Sequence, residues 1–303
     1  MWPSLLSSFR ILIFFIFLIV ISPAVITLGL LSQVLNHADP GLSTWLARSA
    51  AQTQSAALQM ICRIICVLFC IRVRAAEGTT LPDQKDNPLI VANHISYLDI
   101  IAIGSKFRCS FLAKEEVRNW PLIGPLTAGL GCLYLKREEL GSRVAALKRI
   151  KTQLKARAVC VFPEGSTTRL RAPDDQKWNT GQAWASLADP AQDESLGRPI
   201  LTIAIAYENH ESALWVDDMA FLPHLFKVLK SKRTQISIHS RVLAAADMQD
   251  IFCARKRSLQ ALESIRTLCP TGLSQNLREK ANEPEAPRQA PEGFISGVTS
   301  QPY

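Results

Sequence analysis

The chain has 303 residues, of which 48% are hydrophobic and only 7% aromatic, and its net charge is +8 at pH 7. That length accommodates one catalytic domain with an attached segment, and the aliphatic composition is typical of membrane helices and of parallel-sheet cores. The positive charge suits an anionic partner such as a phospholipid headgroup or a phosphorylated substrate. The sequence contains no nucleic-acid-binding motif and no interleaved aromatic and basic residues, which argues against nucleic acid as a partner.

The eight cysteines do not form a disulfide framework. Cys62, Cys66 and Cys70 recur at every fourth position inside an apolar run, and the sequence has no paired Cys-x-x-Cys motif and no Cys/His ligand set. We therefore expect free thiols in a reducing compartment, with no metal and no cofactor.

The first element in chain order is a long apolar helix. The 21 residues from Ile11 to Leu31 carry no charge, and as a helix they would extend roughly 31 Å, against a hydrocarbon core of about 30 Å. A cleaved signal peptide fits poorly, because the apolar run continues past Pro23 and no Ala-x-Ala site closes it. The pattern predicts an uncleaved membrane helix, with a kink at Pro23.

A second apolar stretch, Leu58 to Val73, is 16 residues long and contains Arg63. An arginine near the middle of a spanning helix costs about 2.5–3.5 kcal/mol on insertion scales. Length and charge both favour a re-entrant or interface-lying helix, and a tight two-helix hairpin is the alternative. Basic residues are more frequent after this stretch than at the first helix, which favours a catalytic domain that faces the cytoplasm.

The chain therefore divides into three parts. We expect membrane-anchoring helices in residues 1–80 and the catalytic domain in residues 81–275. The tail, residues 276–303, is rich in proline and glutamate, so that it cannot bury a core, and we expect it to be disordered.

From Pro88 onward, apolar strands alternate with helices. The predicted strands are Leu89–Ala92, Cys109–Ala113, Cys132–Leu135, Ala158–Phe162, Pro199–Tyr207 and Ile236–His239, and the predicted helices are Tyr97–Ser105, Ser142–Lys155, Phe221–Lys230 and Asp250–Leu268. This alternation predicts an α/β fold with a largely parallel central sheet flanked by helices and right-handed crossovers. The helix at Phe221–Lys230 has basic residues opposite its apolar face, and it either lies on the membrane surface or packs on the sheet.

Potentially reactive side chains follow four of these strands. They are His94, Lys114, Arg137 and Glu164. Because the carboxyl ends of parallel strands meet at one edge of a sheet, where open α/β sheets bind their ligands, we expect these residues to lie along that edge.

The segment Asn93–Asp99 is the strongest candidate for a catalytic motif. His94 follows a strand, and Asp99 lies in the first turn of a helix, where side chains lean back toward the N-terminus and hence toward His94. A carboxylate beside an imidazole fixes its tautomer and stabilises the imidazolium, as a hydroxyl-activating base requires. The same residues, Ser96-x-x-Asp99, also form a capping box, so that the spacing alone leaves both interpretations open. A Ser-His-Asp hydrolase is disfavoured, since Ser96 is only two residues from His94, at a helix cap.

Taken together, the motifs resemble the glycerophospholipid acyltransferases typified by 1-acylglycerol-3-phosphate acyltransferase. Four blocks in the family's order carry the resemblance: Asn93-His94-x4-Asp99, Gly131–Arg137, Phe162–Arg169 and Pro199–Ala206. The resemblance implies that His94, oriented by Asp99, is the general base. It would take the proton of a lysolipid hydroxyl as that oxygen attacks the thioester of acyl-CoA or acyl carrier protein, which is worth about 10²–10⁴-fold in rate.

The resemblance also implies a site for the phosphate of the acceptor. The residues at the family's phosphate-binding positions are Arg137, Glu164, Gly165 and Ser166, and Lys114 and Arg169 would add positive charge. Glu164 cannot itself attract phosphate, and we expect it to order the loop or to pair with a nearby basic residue. Arginine offers bidentate donors to phosphate, and a glycine turn exposes backbone N–H groups. From the residues alone, a solvated loop arginine is the slightly better interpretation of Arg137.

Two departures concern the acceptor. Thr167 stands where the phosphatidate-forming members usually have arginine, and Trp178-Asn179 stands where they tend to have Phe-Lys. Relatives that acylate other lysolipids, such as lyso-ornithine lipid, more often read Glu-Gly-Thr-Thr. The resemblance nevertheless implies a membrane-anchored acyltransferase that makes phosphatidic acid from lysophosphatidic acid. The alternatives are another lysolipid acceptor and a non-catalytic, lipid-binding member of the fold.

Overall fold

The computed structural model describes residues 2–36, 40–79, 86–136, 139–165, 167, 199–207, 213–215, 219–230 and 233–243, and the helical residues 261, 263–265, 267 and 268. Its helices are α1 (Trp2–Asn36), α2 (Pro40–Leu68), α3 (Leu98–Lys106), α4 (Ile123–Gly129), α5 (Leu140–Leu154) and α6 (Phe221–Lys230), with a 3₁₀ helix at Glu115–Asn119. Its strands are β1 (Ile71–Ala75), β2 (Leu89–Ala92), β3 (Cys109–Lys114), β4 (Leu133–Leu135), β5 (Ala158–Val161), β6 (Ile200–Tyr207) and β7 (Thr234–Leu243).

The strands form one seven-stranded sheet in the order β1-β7-β6-β2-β5-β3-β4. The five strands from β6 to β4 run parallel, β7 runs antiparallel to β6, and β1 runs parallel to β7. The predicted α/β fold with a largely parallel sheet is confirmed. The central strands β2 and β5 are buried on both faces, which is why each reads as an unbroken apolar run.

Helices cover both faces of this sheet. Successive strand residues point to opposite faces, so that Ile90 and Ala92 pack with α1, α2, α3, α4 and α6, whereas Leu89 and Val91 pack with α5 and with Ala261. The result is a three-layer molecule, and the carboxyl ends of the parallel strands are left at one edge for the site.

The predicted apolar helix at Leu58–Val73 is wrong at its C-terminal end. Helix α2 ends at Leu68, and Ile71–Ala75 is strand β1, so that the region predicted as membrane helices, residues 1–80, contains part of the sheet. The reason is that burial alternates from one residue to the next, as in a strand: Ile71 is buried, whereas Arg72 is exposed.

Arg63 of α2 donates a hydrogen bond to the carbonyl of Ser105 near the end of α3, where a cation is favourable.

Within the described part of the chain, one helical segment is long and apolar enough to cross a membrane, Ser8–Val34 of α1. Only 17% of this apolar stretch is buried in the protein. The buried side includes Phe14, whose ring packs edge-on against Phe69 at 4.9 Å, and α1 approaches α4 so closely that a Cβ on Gly129 would lie 2.6 Å from the carbonyl oxygen of Val25. The other side presents large apolar residues outward, as membrane-associated helices do.

The helix predicted at Phe221–Lys230 is present as α6. It packs on the core through His224, Leu225, Val228 and Leu229, which supports packing on the sheet, although Leu222 and Phe226 are exposed on its other side. Of the predicted helix Asp250–Leu268, only its C-terminal part is described, and it is helical there. The tail, residues 276–303, lies outside the described residues.

Candidate active site

The loop after β2 brings an imidazole and a carboxylate into direct contact. Nδ1 of His94 lies 2.9 Å from Oδ2 of Asp99, and the Asp99 side chain is fully buried whereas that of His94 is 14% exposed. Since a carboxylate accepts hydrogen bonds, Nδ1 carries the proton in the neutral ring and Nε2 is left with the lone pair. The contact expected from the spacing of His94 and Asp99 is therefore present, in the arrangement that a general base needs.

Asp99 also holds the loop that precedes helix α3. Its Oδ2 atom accepts hydrogen bonds from the backbone N–H groups of Ile95 at 2.6 Å and Ser96 at 2.9 Å, and its Oδ1 atom accepts one from the hydroxyl of Tyr207. A carboxylate taken fully out of water requires such donors, because an unpaired buried charge is costly. Asp99 therefore binds both the imidazole and the loop before α3, whereas the N-cap residue of the helix, Tyr97, makes no side-chain capping bond.

Asn93 fixes the position of this loop against β6. Its side chain donates to the carbonyl of Ile205 at 3.1 Å and accepts from the N–H of Ile205 at 2.7 Å. It thereby continues the ladder between β2 and β6 for one more step. From the sequence, Pro199–Tyr207 was predicted only as a strand, with no role for Asn93 or Tyr207. A tyrosine at the carboxyl end of an otherwise aliphatic strand was the signal available in the sequence.

The turn after β5 reaches the same loop. The N–H of Gly165 donates to the carbonyl of Phe162 at 3.0 Å, and Gly165 has a φ of +76°, a conformation that glycine adopts without strain. This turn aims the carboxylate of Glu164 at the loop, where Oε2 accepts the backbone N–H of His94 at 2.5 Å. In the described structure, Glu164 thus binds the backbone of the loop after β2, and binding of the acceptor by Glu164 stays a prediction.

Aromatic side chains contact the imidazole and the loop that carries it. The ring of Phe162 stacks on His94 with centroids 4.0 Å apart and an interplanar angle of 16°. On the other side of the loop, the ring of Tyr97 makes edge-to-face contacts with Trp215 and with Phe221, and the backbone N–H of Trp215 donates to the carbonyl of Ile95. The stacked ring of Phe162 limits the orientations of the imidazole and covers one face of it.

His224 of α6 lies behind Tyr97. Its Nδ1 atom is 3.2 Å from the hydroxyl of Tyr97, and among the described residues its buried Nε2 atom has no hydrogen-bond partner. Burial lowers the pKa of His224, and nearby Lys227 lowers it further, whereas the backbone of Leu214 raises it. Burial raises the pKa of Tyr97. Both groups are therefore neutral near pH 7, and their contact joins α6 to the loop after β2.

The phosphate-binding residues predicted from the family are only partly described. Lys114 ends β3 at the same edge, but its side chain is 46% exposed and its Nζ atom lies 3.6 Å from Oε1 of Glu116. Arg137, Ser166 and Arg169 lie outside the described residues, and their roles stay predictions. No group of three or more His, Cys, Asp or Glu side chains suited to a metal ion occurs in the described part of the chain.

The chain is similar to known acyltransferases. The sequence profile of the acyltransferase family matches residues 71–206, from the start of β1 almost to the end of β6. The resemblance to acyltransferases inferred from the four sequence blocks is confirmed.

Two relatives and one solved structure define its neighbours more closely. The chain is 30% identical over 182 residues to lyso-ornithine lipid O-acyltransferase from Pseudomonas aeruginosa. The matched region is 59% of this chain and 66% of the relative, slightly less than two thirds of the relative's length. It is 28% identical over 205 residues to 1-acyl-sn-glycerol-3-phosphate acyltransferase from Neisseria meningitidis serogroup B, covering 66% of this chain and 77% of that protein.

The solved structure is the 1-acyl-sn-glycerophosphate (LPA) acyltransferase PlsC from Thermotoga maritima. It matches 94% of this chain and 98% of its own, with a TM-score of 0.54 and 17% sequence identity. The two proteins therefore share a fold.

Proposed function

We propose that this protein transfers a fatty acyl group from a thioester donor to the free hydroxyl of lysophosphatidic acid and forms phosphatidic acid. The observation that carries the proposal is the pairing of His94 with the fully buried Asp99 at the carboxyl edge of the sheet. This pairing leaves Nε2 of His94 as the acceptor of the proton that the hydroxyl must lose in the reaction.

The reaction follows from that arrangement. Nε2 of His94 takes the proton of the acceptor hydroxyl as its oxygen attacks the thioester carbonyl, and Asp99 stabilises the imidazolium that forms. The new C–O bond replaces the C–S bond when the tetrahedral intermediate collapses, and the proton passes from His94 to the departing thiolate. Because the thioester is already activated, no covalent intermediate on the enzyme is needed.

Ser96 does not take part in this scheme. It is fully buried, and its Oγ atom accepts the backbone N–H of Leu98 at 3.4 Å, within the cap of α3. A nucleophilic serine would have to hydrogen-bond to the imidazole that activates it. The described contacts of Ser96 therefore support an acyltransferase rather than a Ser-His-Asp hydrolase.

The donor in this proposal is acyl-CoA or acyl-acyl carrier protein, used as a co-substrate, and the enzyme needs no cofactor of its own. The acceptor enters from the membrane, to which the protein is attached by α1, with the catalytic domain facing the cytoplasm. The outward apolar side of α1 supports this attachment.

Lyso-ornithine lipid is the second candidate for the acceptor. Thr167 removes a positive charge from the place where the family's phosphatidate-forming members bind phosphate, and the P. aeruginosa relative carries the name of a lyso-ornithine lipid O-acyltransferase. Both observations favour an acceptor that lacks a phosphomonoester.

One experiment tests the reaction and separates the acceptors. Membranes from cells that express the full chain are given a labelled acyl thioester together with lysophosphatidic acid or lyso-ornithine lipid. We expect labelled phosphatidic acid, and its loss in a His94→Ala variant but not in a matched His239→Ala variant, in which a histidine of β7 is changed instead. Turnover of lyso-ornithine lipid alone would replace the preferred acceptor by the second one, and undiminished turnover by His94→Ala would refute the mechanism.

A further inference from the structure

We infer that Tyr207 is a positioning residue of the proposed base, His94. Its hydroxyl holds the Asp99 carboxylate in place and weakens the stabilisation that this carboxylate gives to the His94 imidazolium. The inference deepens the proposed function. It adds a third side chain, from a distant part of the chain, to the pair that the sequence motif contains.

The two oxygens of Asp99 have different partners. Oδ2 accepts the ring N–H of His94 and the backbone N–H groups of Ile95 and Ser96, whereas Oδ1 accepts the hydroxyl of Tyr207. The donors on Oδ2 all come from the loop and hold a single atom. The tyrosine holds the second atom and so defines the plane in which the carboxylate faces the imidazole.

The fold delivers Tyr207 to this place through the register of β6. The last parallel pair between β2 and β6 is Ala92 with Ile203. The side chain of Asn93 then hydrogen-bonds to both the N–H and the carbonyl of Ile205. Strand β6 continues for two residues beyond Ile205. Tyr207, which is 1% exposed, therefore lies beneath the loop after β2, on the same face of the sheet as Ile205.

Tyr207 acts as a permanent donor. Burial raises the pKa of Tyr207 well above its usual 10, and the charge of Asp99 raises it further. The hydroxyl therefore stays protonated throughout the working range of pH. A donor on Oδ1 draws negative charge away from Oδ2, which weakens the stabilisation of the His94 imidazolium; without that donor the imidazolium is stabilised more strongly.

Other ionisable groups face the pair from the neighbouring elements that the structure describes. They are Glu164 from the turn after β5, Cys160 from β5 and Tyr97 from the loop itself. Burial raises the pKa of the Cys160 thiol and of the Tyr97 hydroxyl, so that both are neutral near pH 7. Glu164 binds the backbone of His94, and a change at Tyr207 removes none of these groups.

The test is the full chain with Tyr207→Phe, which keeps the ring and removes the hydroxyl. We expect kcat to fall roughly 10-fold, because the carboxylate is no longer held in plane, and the acid limb of the kcat/KM profile to move up by roughly 0.5 to 1 pH unit. The matched control is Tyr134→Phe, which removes another buried tyrosine hydroxyl, one that lies 2.7 Å from Thr127 and outside the catalytic loop. We expect no shift of the acid limb in the control.

A second variant guards against a loss of folding in the first. Replacement of Tyr207 by 3-fluorotyrosine keeps the size and the hydroxyl but makes the phenol a stronger donor, so that the acid limb should move to lower pH. An acid limb that stays in place in both variants would reduce Tyr207 to a structural residue and overturn the inference.

A readout without turnover separates this inference from the proposed function. The ring of His94 in the resting, detergent-solubilised enzyme is titrated by NMR of ¹³C-labelled histidine, with His94→Ala used to assign its signal. A midpoint that rises in Tyr207→Phe supports the positioning role even if neither lysolipid is acylated, an outcome that would contradict the proposed function alone. A midpoint that does not change would overturn the inference whatever the activity.

Discussion

The hydrogen bond between Glu164 and the backbone of His94 leads to a prediction that separates two roles for the glutamate. Oε2 of Glu164 accepts this N–H at 2.5 Å, and Glu164→Ala would leave the N–H group of a mostly buried residue without its acceptor. Hydrogen bonds to charged groups contribute about 1.5–3 kcal/mol, and each 1.4 kcal/mol corresponds to about tenfold in rate.

If Glu164 orders the loop, Glu164→Ala should therefore lower kcat by roughly 10- to 100-fold and leave the KM for the lysolipid nearly unchanged. Glu164→Gln keeps an acceptor oxygen but not its charge, so that its loss of kcat should be smaller. Glu139→Gln is the matched control, because Glu139 is an exposed carboxylate that pairs with Lys136, and its kinetics should not change.

The assay is initial-rate kinetics with both substrates varied, on membranes that contain equal amounts of each variant. A raised KM for the lysolipid at constant kcat in Glu164→Ala would refute the loop-ordering role. It would support instead the acceptor-binding role that the family resemblance implies.

Three further predictions concern the base, the helix contact and the membrane. Asp99→Asn should lower the rate by roughly 100-fold or more, since the amide cannot stabilise the imidazolium; an unchanged rate in the labelled-acyl assay would exclude Asp99 from the mechanism. Gly129→Ala should destabilise the protein by about 1–3 kcal/mol because α1 must move away from α4, whereas Gly141→Ala, whose Cβ meets nothing within 4 Å, should not; thermal unfolding in detergent compares the two. Glutamate at both Ile16 and Val20, which are 51% and 68% exposed, should release protein from the membrane fraction in a flotation assay, and full retention would contradict attachment through α1.

The order of the elements could be predicted because burial leaves a direct trace in the sequence. Strands β2 and β5 lie inside the sheet with helices on both faces, so that every position is apolar and each run is easily recognised. Strand β1 lies at an edge, and its alternating arginines were hidden inside a longer apolar stretch. For that reason a strand was taken for the end of a membrane helix.

The pairing of His94 with Asp99 was likewise contained in the sequence. The residues are separated by one turn of loop and the first turn of α3, a distance over which backbone geometry alone determines which side chains meet. The sequence motif left this contact and the capping of the helix open as alternatives, and the structure contains the contact.

Only the tertiary structure decided the remaining partners of that pair. Tyr207 is 108 residues from Asp99, and Glu164 is 70 residues from His94. Whether such residues meet depends on which strands are neighbours and in what register they pair, namely on β2 lying between β5 and β6. Strand order results from packing over the whole sheet, and no spacing within a single segment determines it.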